Sequence, residues 1–458
     1  MRTVLIIKVL LGSMLFVIGY HQVNAQDVLS QYIEQGMENN LVLQQRNVSF
    51  ERATYSLQIA KNAYLPTVNL QAGYQTADGG RNIPLPVGDL LNPVYRTLNQ
   101  LTQPNNFPEI QNETINFLPR NYYDVHIRTT MPLINTDIGH NKQIQEQQVR
   151  MSALEVDTYK RELIKEIKVA YFNYLSALQV VDTYRTALTL ANEGKRSNER
   201  LLENGKGLPA YVLRSDSEVA AAEAKLTEAL LNSRNAQLYF NALLNRQEDA
   251  EIDTAFSKEE ALQAIVAVLQ RSPATPTERE ELASLNAAIG IRETALKMNK
   301  QYAVPKVNAF LDLGSQSEGF HFNDETRYYL AGLQLEFPIF NGSRNKIKIR
   351  QAKLDLQDAQ LRLREVQREL QLAGSVAYHN LQSAWQNYQS AESQFVAAEA
   401  YQRLITRGYQ AGSNSYIETV DARNQYTSAR IARLVGLYRA LSAAAALERE
   451  QATYPLTK

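Results

Sequence analysis

Apolar residues recur every seven positions along two long stretches that contain no proline, 136–203 and 342–408. The first stretch carries the series Val149, Val156, Leu163, Ala170, Ala177, Tyr184 and Ala191. The second carries Ile349, Leu356, Leu363, Leu370, Ala377, Ala384, Ala391, Ala398 and Ile405. A sustained seven-residue repeat predicts helices that supercoil around one another. A second series, Ile347, Leu354 and Leu361, lies two positions away, about 200° around the helix. Each long helix is therefore predicted to have neighbours on two sides, as in a wall or tube; a soluble coiled-coil rod is the alternative.

Four shorter segments alternate between apolar and mostly polar residues, at about 67–76, 122–132, 306–314 and 328–338. A period of two predicts strands with one apolar and one polar face. Lengths of about 9–11 residues match tilted strands that cross a bilayer. The alternative is an ordinary sheet that packs its apolar face on a helix. Pro132 and Pro338 are predicted to mark the points where strands give way to helices.

The chain repeats itself. Pro66-Thr67-Val68-Asn69 recurs as Pro305-Lys306-Val307-Asn308, an offset of 239 (305 − 66). The next landmarks have smaller offsets: 206 between Met131 and Phe337, and 207 between Gly205 and Gly412. The difference of 33 (239 − 206) places extra residues of the first copy within 77–121, where six of the 14 prolines lie. Two copies of one unit with unequal loops are therefore predicted, rather than three unrelated domains.

The predicted domain organisation follows from this repetition. Residues 26–246 form the first repeat, 247–276 a linker, 277–450 the second repeat and 451–458 a tail. Residues 1–25 are predicted to be a signal peptide, because the basic Arg2 and Lys8 precede an apolar run, 9–20, and Val23-Asn24-Ala25 then offers a cleavage site. A buried N-terminal helix is the alternative.

Composition excludes several classes of function. The 48 basic and 48 acidic residues are balanced and give no support to a nucleic-acid-binding surface. The absence of cysteine excludes disulfides, thiolate metal ligands, a cysteine nucleophile and a lipid-modified N-terminal cysteine. Five histidines are scattered, and no dinucleotide-binding, P-loop or His-Glu-x-x-His motif is present. We therefore expect no enzyme activity, no metal site and no cofactor.

Three features carry a resemblance to a known family: the duplication, the strand ends Met131-Pro132-Leu133 and Phe337-Pro338-Ile339, and Tyr409-x-x-Gly412 before the last helix. Over roughly 27–450, the chain resembles the TolC-like outer-membrane efflux protein family. This resemblance implies a mainly α fold with a membrane β-barrel, built from four long-helix elements and four β-strands per chain. It implies a homotrimer whose 12-stranded β-barrel lies in outer-membrane lipid and continues as a periplasmic α-helical barrel, with 247–276 in an equatorial region.

The resemblance also implies a function. The chain would be the passive exit duct of a tripartite efflux or type I secretion system. A periplasmic membrane-fusion adaptor and an inner-membrane pump of the RND, ABC or MFS type would be its partners. Drugs, metal ions and proteins all stay open as substrates. The alternative function is an exported structural coiled-coil protein or adhesin without transport activity.

Three residues are candidates for the pore aperture. Glu418 and Asp421 align with acids that ring the periplasmic aperture in the family, and Tyr409 keeps a tyrosine of the family. The i,i+3 spacing of Glu418 and Asp421 places their two carboxylates on one helix face. Ser415-x-x-Glu418 is also a capping box, which is the structural alternative. The family's first-copy acid aligns with Tyr211 and its basic latch residue with Asn414, so the family's salt-bridge lock is not matched here.

The tips of the helix pairs are the expected adaptor contacts. Gly205 and Gly412 end the long helices, where glycine can form a left-handed cap, and Asn414 follows in the second tip. Plain turns fit the same residues. The segment 77–121 is expected outside the cell, covering the barrel mouth, with a disordered insert as the alternative.

Overall fold

A computed structural model describes residues 25–102, 105–118, 120–270 and 279–456. The predicted signal peptide, 1–25, lies outside the described residues except for Ala25, and so does the end of the predicted linker, 271–276. The chain is mainly helical, as predicted, and divides into two compact units. Among the helices of the described residues, none combines the length and apolar character needed to cross a bilayer.

The described residues form nine α-helices and six strands. The helices are α1 (Ala25–Asn39), α2 (Leu41–Asn62), α3 (Val87–Thr102), α4 (Thr136–Glu203), α5 (Pro209–Leu243), α6 (Lys258–Leu269), α7 (Glu280–Lys300), α8 (Arg344–Gln410) and α9 (Tyr416–Gln451). The strands are β1 (Thr67–Gln75), β2 (Asn82–Leu85), β3 (Glu113–Asn116), β4 (Tyr122–Ile134), β5 (Lys306–Glu318) and β6 (Arg327–Glu336). The four long helices α4, α5, α8 and α9 contain 68, 35, 67 and 36 residues.

The first unit consists of Met1–Phe50, Ser152–Ser284 and Leu363–Lys458. Its core surrounds the middle of α4, where Leu163, Ile167 and Tyr171 are fully buried. The buried Tyr171 hydroxyl donates a hydrogen bond to the Asp253 carbonyl at 3.0 Å. Four alanines at seam positions of α8, which are positions where the seven-residue series contacts a neighbouring helix, are also buried: Ala377, Ala384, Ala391 and Ala398. Small side chains at these positions let neighbouring helices approach closely, as the seven-residue repeat predicts.

The described chain before β1 does not form one continuous helix, because Asn40 separates α1 from α2. The Asn40 side chain accepts a hydrogen bond from the Leu43 amide at 3.0 Å and donates one to the Leu243 carbonyl at 3.0 Å. An asparagine that bonds nearby backbone offers the chain an alternative to the helix ladder. Asn40, at the break, therefore also holds the last residue of α5 by a hydrogen bond.

A cluster of charges joins the start of α7 to the end of α9 in the same unit. The buried Arg279 donates to Glu281 at 2.6 Å and to Glu450 at 2.8 Å. Arg449 lies 2.9 Å from Glu162 and 3.2 Å from Glu281. Burial would raise the pKa of the Glu281 carboxyl, but the Arg279 hydrogen bond and charge outweigh it, so this pKa is lowered.

The second unit consists of Glu51–Met151 and Leu285–Arg362 and holds an antiparallel sheet in the order β1-β4-β5-β6. The central pair, β4 and β5, joins the first copy of the repeat to the second. One face of the sheet exposes alternate apolar side chains: Val68, Leu70, Ile127, Leu311, Leu313, Tyr329, Leu333 and Leu335. Within the described residues, the outer edges of β1 and β6 pair with no further strand.

On the polar face of this sheet, hydrogen bonds between side chains link the central strands. Arg128 of β4 donates two hydrogen bonds to the buried Asp312 of β5, at 2.8 and 2.6 Å. Gly314 stands between His126 and Tyr328 in the register. Because Gly314 has no side chain, the Tyr328 hydroxyl reaches Asp124 across β5 at 2.9 Å.

One prediction about a proline is wrong, and one alternative for a loop does not fit the structure. Pro132 does not end its strand, since β4 continues to Ile134 with a register shift between Pro132 and Ile134. Proline has no amide hydrogen for the ladder, and a bulge is where a strand tolerates it. The alternative of a disordered insert does not fit the described residues of 77–121, which include α3 and the two-stranded sheet β2–β3. The described residues therefore hold two strands beyond the four predicted.

Candidate aperture at the helix tips

Both helix pairs of the first unit end in the same kind of turn. Gly205 has φ of 69° and Gly412 has φ of 77°, the left-handed region that favours glycine. The Lys206 amide donates to the Leu201 carbonyl at 2.8 Å, and the Ser413 amide donates to the Gly408 carbonyl at 2.8 Å. These bonds satisfy carbonyls that the helix end leaves unpaired. Gly205 and Gly412 therefore form the turns that connect α4 to α5 and α8 to α9.

Gly207 in the first tip is a residue that sequence reasoning missed. A Cβ at this position would lie 2.5 Å from the Leu202 nitrogen. Since that contact is with backbone, no rotation of a side chain could relieve it. The first tip consequently needs glycine at two positions, 205 and 207, before α5 begins at Pro209.

The start of α9 is a capping box. The Glu418 amide donates to the Ser415 hydroxyl at 3.3 Å, and the Ser415 amide donates to the Glu418 carboxylate at 2.6 Å. The Asn414 side chain donates to the same carboxylate oxygen at 3.3 Å. These hydrogen bonds, with that of the Ser415 amide first, lower the pKa of Glu418. Glu418 thus has a structural role in the cap while its carboxylate stays ionised.

Asp421 lies one turn further along α9. Glu418 and Asp421 are both exposed, so the two carboxylates share one solvent-facing side of the helix. None of the hydrogen bonds of the cap involves Asp421. The two predicted aperture acids therefore differ in their contacts. Glu418 is hydrogen-bonded at the start of the helix, and Asp421 lies outside that network.

Tyr409 reaches from the end of α8 to α4. Its hydroxyl donates to the Asn198 side-chain oxygen at 2.8 Å, and Asn198 donates to the Tyr211 carbonyl at 3.3 Å. Asn198 is only 2% exposed, so this contact is shielded from water. Burial raises the pKa of Tyr409, which keeps its hydroxyl a donor. A neutral hydrogen bond thus joins the second copy to the first.

Sequence reasoning did not identify Asn198, although a signal was present. Asn198 is the next position of the seven-residue series after Ala191. A polar residue at a seam position is a device that fixes register between helices at a cost in stability. An asparagine within an otherwise apolar series was therefore the available indication of a specific contact.

A cluster of aromatic rings lies between the tips. Tyr416, the first residue of α9, is almost fully buried, and its ring centroid lies 5.6 Å from that of Tyr211 and 6.0 Å from that of Tyr409. Tyr211 stands where the family has an acid, and here it packs against Tyr416. Tyr211 thus contributes an aromatic contact between the tips.

Arg423 is a further residue that the sequence did not reveal. Its guanidinium donates to the Leu190 carbonyl of α4 at 2.6 Å and to the Thr419 carbonyl of its own helix at 3.3 Å. A Cβ at position 194 would lie 2.8 Å from the Arg423 guanidinium, so Gly194 leaves the space that this side chain occupies. Arg423 therefore attaches the first turns of α9 to α4.

Beside these contacts lies a cavity of about 700 Å³ between the two helix pairs. Charged and polar groups of both copies line it, among them Glu193, Lys206, Gln402 and Arg423. The side chains of a single chain accordingly leave part of the tip region unfilled.

Comparison with known proteins identifies the class. The sequence matches the outer membrane efflux protein family over residues 32–246 and 265–450, which is most of the chain. The protein belongs to this family and is an outer-membrane protein, as the resemblance implied. The alternative of an exported coiled-coil rod or adhesin is not supported.

Two relatives are similar to parts of the chain. The alkaline protease secretion protein AprF of Pseudomonas aeruginosa is 26% identical over 202 residues, 42% of this chain and 41% of that protein. The cobalt-zinc-cadmium resistance protein CzcC of Cupriavidus metallidurans is 26% identical over 293 residues, 61% of this chain and 65% of that protein. The chain thus matches less than two thirds of the length of either relative.

Solved structures share the fold. The outer membrane protein VceC of Vibrio cholerae superposes with a TM-score of 0.72, at 15% identity, over 92% of this chain and 95% of that chain. At this identity the likeness establishes the architecture of the single chain.

Proposed function

We propose that this protein is the outer-membrane exit duct of a tripartite efflux or type I secretion system, through which substrates pass passively to the exterior. The exposed apolar face of the sheet β1-β4-β5-β6 is the observation that carries this proposal. Side chains such as Leu70 and Leu333 are exposed on that face, while the opposite face holds charged groups such as Arg128 and Asp312. One face suits lipid and the other suits a water-filled lumen.

The open edges of the sheet support a homotrimer. Unpaired strand edges are not tolerated in lipid, and four strands are too few to close a barrel. Since β1 and β6 are the two edges, β6 of one chain can pair with β1 of the next. Three chains would give the 12-stranded barrel that the family resemblance implies.

The long helices supply the second half of the duct. At about 1.5 Å per residue, α4 and α8 each extend roughly 100 Å. The two apolar series of α8, on nearly opposite sides of the helix, support a closed periplasmic barrel of several chains. The tips around Gly205, Gly412 and Asn414 would then meet the periplasmic membrane-fusion adaptor, which links them to a pump of the RND, ABC or MFS type.

The aperture is the narrowest point of this duct in our proposal. Three chains would bring six carboxylates, from Glu418 and Asp421, around one axis, and such a ring favours cations. The contact between Tyr409 and Asn198 would hold the closed tip in place of the family's salt-bridge lock. Either a protein or metal ions could be the substrate, since the names of the two relatives refer to protease secretion and to metal resistance.

The test is single-channel recording of the purified protein in planar bilayers. We expect trimers that form stable, discrete conductances, and a protein without conductance would contradict the duct. Leu333→Arg places a charge on the lipid face, which costs up to about 2–4 kcal/mol at the bilayer midplane and should abolish insertion. Gln334→Arg, its neighbour on the opposite face, is the matched control and should insert normally.

A further inference from the structure

The outer segment, residues 77–121, leaves the sheet between β1 and β4, at the end away from α4. Two asparagines of α3 clamp this segment. Asn92 donates to the Ile110 carbonyl at 2.8 Å and accepts from the Ile110 amide at 2.9 Å. Asn99 makes the same pair of bonds with Phe107, at 2.7 and 3.0 Å. The chain that returns from α3 is therefore fixed along one face of the helix.

Further polar contacts lie on that same face. The Asn112 side chain accepts from the Asp89 amide at 3.1 Å and donates to the Asp89 carboxylate at 2.9 Å. A Cβ at position 88 would lie 2.5 Å from the Ile110 carbonyl oxygen, so Gly88 permits the close approach. The returning chain thus occupies the polar face of α3 from its first turn to its last.

The opposite face of α3 is apolar and exposed. Leu90, Val94 and Leu101 are 68%, 52% and 76% exposed. At about 100° per residue these three side chains lie within roughly 40° of one another and about 180° from the clamped asparagines. Because the clamps fix the orientation of α3, the segment cannot turn this face inward by rotating the helix. An exposed apolar face on a fixed helix indicates an interaction surface.

The charges of the segment favour a protein surface over a membrane surface. A helix that lies on a membrane typically carries several basic residues on its polar face. The one basic residue of α3 is Arg96, which is on the clamped side and 3.8 Å from Glu109. The whole segment has four acidic residues (Asp78, Asp89, Glu109 and Glu113) and three arginines (Arg81, Arg96 and Arg120), so copies of it would repel one another little.

The length of the helix fits a contact around the barrel axis. Twelve strands about 4.8 Å apart and tilted by about 40° form a barrel with a radius of roughly 12 Å. The 16 residues of α3 extend roughly 24 Å, so α3 is long enough to reach from the barrel wall to the axis. We propose that the apolar faces of α3 from three chains pack against one another and cover the external mouth of the duct. This proposal rests on the trimeric duct proposed above.

Cysteine cross-linking tests the contact, because the chain contains no cysteine of its own. In Val94→Cys, a short membrane-impermeant bis-maleimide added from outside the cell should convert most chains to linked dimers. Gln111→Cys is the matched control, since Gln111 is exposed on the returning chain, on the clamped side of α3. It should give several-fold less product. Equal products, or none from Val94→Cys in intact trimers, would overturn the proposal.

A fluorophore attached at Leu101→Cys tests directly whether the apolar face of α3 contacts the membrane or other copies of α3. Quenching by brominated lipid would show that α3 lies on the membrane, which contradicts packing among copies. Shielding from both lipid and aqueous quenchers is the result that we expect.

Conductance separates this proposal from the duct itself. The combined variant Leu90→Gln, Val94→Gln and Leu101→Gln changes exposed positions to another good helix former, so folding should be retained. We expect it to open more often and to admit larger solutes from outside than the parent. If the parent conducts and the variant does not differ from it, the duct stands and the external cover is wrong. If the parent does not conduct, the duct itself is wrong.

Discussion

At the scale of single residues, the two aperture acids differ in their environment. Glu418 closes the capping box of α9 and accepts hydrogen bonds from Ser415 and Asn414, whereas Asp421 stands outside that network. The capping interpretation therefore applies to Glu418 and not to Asp421, whereas the aperture interpretation applies to both residues. Asp421 is the acid whose charge can be removed without loosening the start of the helix.

For the proposed trimer, we predict that Asp421→Asn shifts the ion selectivity away from cations and leaves the melting temperature unchanged. Ser415→Ala is the matched control, since loss of an N-cap side chain costs about 0.5–2 kcal/mol of stability. It should lower the melting temperature with no change in selectivity. Reversal potentials in a salt gradient and thermal unfolding give the two readouts. Unchanged reversal potentials for Asp421→Asn would exclude it from the aperture.

We predict that Tyr409→Phe opens the tip. The change leaves the buried Asn198 oxygen without the Tyr409 hydroxyl, and an unsatisfied buried acceptor costs about 1–3 kcal/mol. Single-channel conductance and open probability should rise. Tyr401→Phe, which alters an exposed ring on the same helix, should leave both unchanged. If the two variants behave alike, Tyr409 does not hold the closed state.

At the scale of elements, the contact between the two copies depends on Gly314 of β5. A Cβ there would lie 2.5 Å from the His126 Cβ and 2.6 Å from the Val125 carbonyl oxygen. Both are parts of the neighbouring strand that cannot rotate away. A close approach of this kind is a reason for glycine inside a strand.

Gly314→Ala is expected to destabilise the sheet and to lower the temperature at which the proposed trimer dissociates in detergent. The matched glycine is Gly374 in α8, where an added Cβ would meet nothing within 4 Å. Gly374→Ala should raise the stability by roughly 0.5–1 kcal/mol, because glycine weakens a helix interior. A sheet that tolerates Gly314→Ala equally well would show that β4 and β5 can separate at this point.

The elements also show how far sequence reasoning reaches. The seven-residue repeat gave 136–203 and 342–408, and α4 and α8 span 136–203 and 344–410, because the period continues through each helix. Helix α3 was missed, since Pro93 lies within it and turn-forming residues surround it. The contact between Tyr409 and Asn198 joins residues 211 apart, and periodicity within one helix carries no information about such a pair.

At the scale of the whole molecule, the charges around Arg279 link stability to pH. The pKa of Glu281 is lowered by Arg279, and that of Glu162 is lowered by Lys165 and Arg449, in both cases against the effect of burial. A carboxyl with a lowered pKa contributes stability above its ordinary pKa of about 4.5, and this contribution is lost as the pH falls through the lowered value.

We therefore predict that the melting temperature falls steeply below about pH 4.5, because these carboxylates must be protonated. Glu281→Gln should reduce the stability at neutral pH and flatten this acid dependence. Glu228→Gln, at an exposed ion pair with Lys225, should change neither. Melting curves from pH 3 to 7 make the comparison, and parallel curves for the parent and Glu281→Gln would contradict it.

The bond between Tyr409 and Asn198 has a consequence for symmetry. The repeat offset of 207 places Leu202 at the counterpart of Tyr409 (409 − 207) and Ile405 at the counterpart of Asn198 (198 + 207). A ring of six identical chains, each a copy of either repeat, could form this bond at none of its junctions, so the bond depends on the difference between the two repeats. In the proposed ring of three chains, the bond would occur once within each chain and so at alternate junctions between repeats. Its loss would then loosen the proposed duct at three of six junctions, with three-fold symmetry.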